Sequence, residues 1–168
     1  ILESSNKPVI FDYGIVNNQI IALENLKTIE RLALSAVVLS EDKNSDKFSD
    51  FIKQAYRRKL KDDFMIIVKL RYNDVDSSIR KAISYLNSGS SAIMINSSEM
   101  TAKEILEFCS KIRKSVESPV ILLENSNNIN LSESQLMDIG IRVVIYTNIL
   151  IKCTQKAISE KIQSLIKP

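Results

Sequence analysis

The chain has 168 residues, room for one domain, and its 45% apolar content is enough to bury a core. A net charge of +3 excludes the strongly basic footprint of a nucleic-acid binder, and the longest apolar stretch, only a few residues, falls far short of a membrane span. Histidine is absent, which removes imidazole catalysis, Ser-His-Asp triads and His-ligated zinc or iron, so any chemistry must come from carboxylates, amines, amides, hydroxyls and a hard, oxygen-bound cation.

In chain order, the first apolar run, Pro8–Phe11, reads as a strand that stops at Asp12 and Tyr13. The second, Ala36–Leu39, stops at Ser40, Glu41, Asp42 and Lys43. A short helical pattern over Ser49–Lys59 follows, and the basic run Arg57, Arg58, Lys59 and Lys61 reads as its solvated end. The third strand, Phe64–Val68, leads into Lys69 and Arg71, which alternate and so share a face. Ile79, Ala82, Ile83 and Leu86 predict a helix, with Gly89 where a C-terminal cap is wanted. The fourth strand, Ala92–Ile95, ends in Asn96 and Ser97, and Ile105, Phe108, Cys109, Ile112 and Val116 mark the next helix. The fifth, Pro119–Leu123, runs into Glu124 and an Asn-rich loop with Asn125, Asn127, Asn128 and Asn130. A short helix over Ser132–Ile139 precedes the sixth strand, Val143–Tyr146, which ends at Thr147 and Asn148. The last helix covers about Ile149–Ile166.

The runs are continuously apolar, as strands covered on both faces should be, and their starts lie 28, 28, 28, 27 and 24 residues apart. Strand–helix repetition at this spacing means parallel strands with right-handed crossovers. Two architectures fit: a (β/α)8 TIM-type barrel, averaging about 31 residues per unit, or an open doubly wound sheet. Six units do not close an eight-unit barrel. The chain opens with Ile rather than Met, and two further N-terminal units would complete it, so the expectation is a single α/β domain over residues 1–168 that forms an incomplete barrel. Cys109 and Cys153 both read as buried, reduced packing residues, and without a basic-then-apolar leader the expected location is the cytoplasm.

In either architecture chemistry gathers where the strands end. Carboxylates after two strands and cations after a third suit a magnesium-bound anionic substrate. Structural explanations compete at each position. Asp12 before Tyr13-Gly14 can shape a turn, Glu41-Asp42 can cap a helix, and two cations on an outer face need no ligand.

The segments KPVIFDYG, ERLALSAVVLSEDKNS, KDDFMIIVKLRYND, SAIMINSSE, EILEFCSKIRK, SPVILLENS and DIGIRVVIYTNILIK resemble, in order and over nearly the whole chain, the phosphoenolpyruvate mutase and isocitrate lyase superfamily, particularly its phosphoenolpyruvate mutase branch. The resemblance implies strands three to eight of an α/β barrel, a Mg2+ site, and 2-oxo acid substrates such as phosphonopyruvate or phosphoenolpyruvate. It also implies homo-oligomers or association with a further domain or subunit. Carried onto this chain, the family's metal ligands fall on Asp12, Glu41 and Asp42, and its gating-loop residues on Lys43 and Asn44. Substrate contacts fall on Lys69, Arg71, Ser97 and Asn148.

The motifs are incompletely kept. The family's Asp-Ala-Asp-Thr-Gly reads Asp12-Tyr13-Gly14, without the second carboxylate. Ala-Arg-Ile-Glu reads Val68-Lys69-Leu70-Arg71, which exchanges an arginine for lysine and reverses a carboxylate to a cation. Lys43-Asn44-Ser45 stands as the remnant of a shortened lid. Three functions follow as expectations: a Mg2+-dependent isomerase or lyase of phosphonate metabolism with impaired activity, a non-catalytic relative kept for binding or assembly, or an unrelated doubly wound anion binder.

Overall fold

The computed structural model describes residues 7–42, 47–124, 131–147 and 149–166. Six strands alternate with six helices: β1 (Ile10–Ile15), α1 (Gln19–Arg31), β2 (Ala36–Ser40), α2 (Phe48–Arg58), β3 (Met65–Lys69), α3 (Val75–Asn87), β4 (Ala92–Asn96), α4 (Ala102–Ser115), β5 (Val120–Glu124), α5 (Glu133–Asp138), β6 (Ile141–Tyr146) and α6 (Ile149–Ile166). Every pairing is parallel, and the strands lie side by side in chain order, β1 to β6.

That order separates the two architectures. A doubly wound sheet reverses at a switch point and carries helices on both faces, whereas a barrel wall keeps its order and carries helices on one. Here Val37, Leu39, Ile66, Val68, Ile93, Ile95, Val120 and Leu122 pack in one cluster with side chains from α1 to α5. The alternate strand residues Ala36, Val38, Ile67, Ala92, Met94, Ile121 and Leu123 form a second cluster that contains no described helix residue. The molecule is therefore six units of a barrel wall whose sheet does not close, and the doubly wound alternative is set aside.

Local chemistry explains the helix ends. The Asn18 side chain accepts from the N–H groups of Ile20 and Ile21, Asp74 accepts from Ser77, and Thr101–Glu104 and Ser132–Gln135 form reciprocal capping boxes. Gly89, just past α3, has φ +107°, and a Cβ there would lie 2.5 Å from Cγ of Tyr56, so both backbone and space require glycine. Between α1 and the loop after α2, the buried Glu30 carboxylate accepts from the N–H groups of Leu60 (2.7 and 2.8 Å) and Lys61. It satisfies backbone donors of the loop that follows α2.

Three expectations need correction. Helix α1 has no counterpart in the sequence reading. Cys109 is buried, but Cys153 is exposed: the described side chains of α6 are all exposed, and none of them belongs to either core cluster. β6 begins at Ile141, two residues before the expected start, because its pairing with β5 starts at Val120 with Ile141. The Asn-rich loop lies outside the described residues. No described helix is long and apolar enough to cross a membrane.

Candidate functional site

Strand alternation decides which end residues face the barrel axis. Ser40 is in register with Lys69, and Lys69 with Met94, a member of the inner cluster, so Ser40 and Lys69 lie on the inner face. Arg71, two residues on, follows the same phase. These residues, with Ile15, Glu41, Asp42, Leu70 and Glu99, line a cleft of about 370 Å³ at the C-terminal ends of β2 and β3. Lys69 is half-buried and Arg71 exposed, and neither forms an ion pair or hydrogen bond with a described residue. The cleft thus carries two cations without a partner among the described residues.

Glu41 takes the other phase. One of its carboxylate oxygens accepts from Lys81 Nζ at 2.9 Å and the other from the Tyr85 hydroxyl, both on α3. The residue is 4% exposed, and this buried pair ties β2 to the helix layer. Asp12 lies on β1 in register with Val38, two ladder positions below the rim that Ile15 and Ser40 form. Its Oδ1 accepts the Gly14 N–H at 2.9 Å, across a bulge where Gly14 has φ +78°. That is the turn-shaping contact, and Asp12 does not line the cleft.

Of the remaining expected residues, Ser97 is buried. Its N–H extends the β4–β5 ladder to the Leu123 carbonyl at 3.0 Å, and alternation puts Asn96 rather than Ser97 on the inner face. Lys43, Asn44 and Asn148 lie outside the described residues.

Glu99 is a cleft residue that the sequence reading missed. One oxygen accepts from the Tyr72 N–H at 3.1 Å and the other from the Asn96 amide at 3.3 Å, while Asn96 Oδ1 accepts from the Ser98 N–H and hydroxyl. The signal lay in the polar turn Asn96-Ser97-Ser98-Glu99, three residues beyond the strand end. Next to it, the Tyr72 hydroxyl donates to Glu104 at 2.6 Å. Desolvation, then that carboxylate, pushes the phenol up to about 12, so it acts as a donor at neutral pH. The same bond, with those from Thr101, holds the Glu104 carboxyl below its ordinary value.

Among the described residues no three carboxylates or thiols converge as a metal site. Asp12 sits below the rim, and Glu41, which borders the cleft with Asp42, has both oxygens engaged by α3; these three do not fit a magnesium ion held jointly. A second cavity, about 250 Å³, opens at the opposite end of the sheet beside Cys109, Arg113, Pro119 and Arg142. Burial pushes the Cys109 thiol up to about 12, and Arg113 is engaged by the Asp138 carbonyl at 2.8 Å, so no thiolate nucleophile is available there.

Comparison with known proteins agrees with the architecture. The family profile described as phosphoenolpyruvate phosphomutase matches residues 1–166. Among curated proteins none matches significantly. Among solved structures, a phosphoenolpyruvate phosphomutase from Streptomyces platensis subsp. rosaceus superposes with a TM-score of 0.82 at 19% identity, covering 98% of this chain and 63% of that one. A phosphonopyruvate hydrolase gives 0.82 at 21%, covering 98% and 62%. The same enzyme's name is attached to a complex with oxalate and Mg2+, at 0.81 and 21%, again covering 98% and 62%. The chain therefore spans just under two thirds of the length of these structures, and at such identities they establish the fold.

Proposed function

Since this chain belongs to the phosphoenolpyruvate phosphomutase family, we propose that it binds a small 2-oxo acid or phosphonate anion at the C-terminal ends of β2 and β3, with impaired turnover. The observation that supports this reading is the pair Lys69 and Arg71, two cations without a partner among the described residues, on one cleft at the functional end of a barrel wall. The planar Arg71 guanidinium would take a carboxylate or phosphonate in bidentate fashion, and the Lys69 ammonium would sit on the neighbouring carbonyl oxygen. Lys43 and Asn44, which follow Asp42 in sequence, are assigned to the reacting group, with Asn148 as a further contact; Ser97, on the outer phase, is not among them. In the family reading, magnesium supplies stabilisation of enolate charge. Its expected ligands do not gather in this chain, so no step is assigned to it.

Thermal unfolding with oxalate and then phosphonopyruvate tests the reading. A ligand confined to the native state adds about 2.7 kcal/mol at a hundredfold excess over its Kd. The transition should rise in the natural chain and stay put in Lys69→Ala; a transition that neither anion moves rejects the site. Turnover of phosphonopyruvate well below that of a phosphonopyruvate hydrolase is the expected companion result. A second reading, assembly instead of turnover, has its own observation: α6 exposes Ile151, Ile158 and Ile162 at 58%, 53% and 49%. Sedimentation showing only monomer at high concentration would remove it.

A further inference from the structure

We infer that the anion site operates without a divalent cation, the positive charge coming from Lys69 and Arg71 themselves. The inference rests on the anion-binding reading above and adds how the charge is supplied. Three of the carboxylates that a metal could use have another engagement. Glu41 has the Lys81 ammonium at 2.9 Å on one oxygen and the Tyr85 hydroxyl on the other, so an internal cation already stands where a metal would approach. Asp12 is held by the Gly14 N–H, and Glu99 by the Tyr72 N–H and the Asn96 amide.

The two cations of the cleft have no such engagement among the described residues. A divalent ion placed among them meets like charge on two sides, whereas an anion meets three ammonium donors and a five-donor guanidinium fork. Glu41, Asp42 and Glu99 outnumber the two cations of the lining, and Glu41 is paired with Lys81, so affinity comes from direct contact with Lys69 and Arg71 and not from a diffuse positive field. The ligand class that fits is a small dicarboxylate, 2-oxo acid or phosphonate able to offer oxygens to both side chains at once.

Titration calorimetry with oxalate tests this on the natural chain, once in EDTA and once in millimolar Mg2+, and then on Arg71→Gln and Arg71→Lys. The expected result is the same Kd in both buffers, weakened at least about tenfold in Arg71→Gln and partly restored in Arg71→Lys. Binding seen only with Mg2+, or tightened about tenfold by it, overturns the inference and leaves the anion site standing. No binding in either buffer removes the anion site and the inference together. The buffer comparison needs no variant, so a poorly folded substitution does not blunt it.

Discussion

The two faces of the sheet solve different problems with the same strands. On the outer face the side chains of five helices bury Phe51, Phe108, Ile52 and Ile105, and its buried carboxylates, Glu30 and Glu41, have donors on them. On the inner face seven smaller strand residues form a narrow cluster below Lys69 and Arg71, charged groups without partners among the described residues. Satisfied polar groups under a thick apolar layer are what stability requires. Unsatisfied ones at a rim add nothing to it and are free for a ligand. Stability and binding should therefore separate by face, and substitutions can show where that separation fails.

The largest effect is expected from Phe108→Ala, which empties a fully buried ring site under the helix layer; it should cost about 3–5 kcal/mol in denaturant unfolding with an unchanged m-value. Glu30→Ala should come next, at about 2–4 kcal/mol, because the N–H groups of Leu60 and Lys61 lose their acceptor; Glu30→Gln should recover part of this in the same measurement. Gly89→Ala combines a positive φ with a Cβ inside the Tyr56 ring contact and should lower stability by about 1–3 kcal/mol, a loss that additional Tyr56→Ala should partly relieve. The Cys109 thiol stays protonated in the folded chain up to about 12 but ionises near its ordinary 9.0 when unfolded. Its contribution is complete below pH 9 and falls between there and 12, by at most about 1.4 kcal/mol per pH unit; Cys109→Ala should flatten that part of the stability profile. The smallest effects belong to Lys69→Ala and Arg71→Ala, within about 0.5 kcal/mol, although both should lose anion binding. A large stability loss at either position would erase the distinction between the faces.

Much of this organisation can be read from the sequence, and the omissions have physical causes. Five helices and all six strands follow from apolar spacing because burial imposes it. Helix α1 escaped because Ile20 and Ile21, 77% and 55% exposed, blur the periodic stripe of Leu23, Leu26 and Ile29; the Asn18 cap was its clearer mark. At the site, strand ends located Lys69, Arg71 and Asp42. They could not tell Glu41 from its neighbours, because phase depends on register with the next strand, and Ser40 takes the inward position. Asp12 was legible in both its readings, and the contact to Gly14 is the one the structure displays. Glu99 stayed hidden because it enters the cleft from a turn, where no periodicity announces direction.

The unbroken order of the strands also bears on how the chain folds. Each ladder joins residues between 21 positions apart, as for Val120 with Ile141, and 29, as for Ala36 with Met65. No pairing waits for a distant part of the polypeptide, so loop-closure entropy stays nearly constant from one unit to the next. For a parallel sheet, which normally couples remote segments and folds slowly, this is a low contact order. Assembly can advance one strand–helix unit at a time, in the direction in which the ribosome releases the chain.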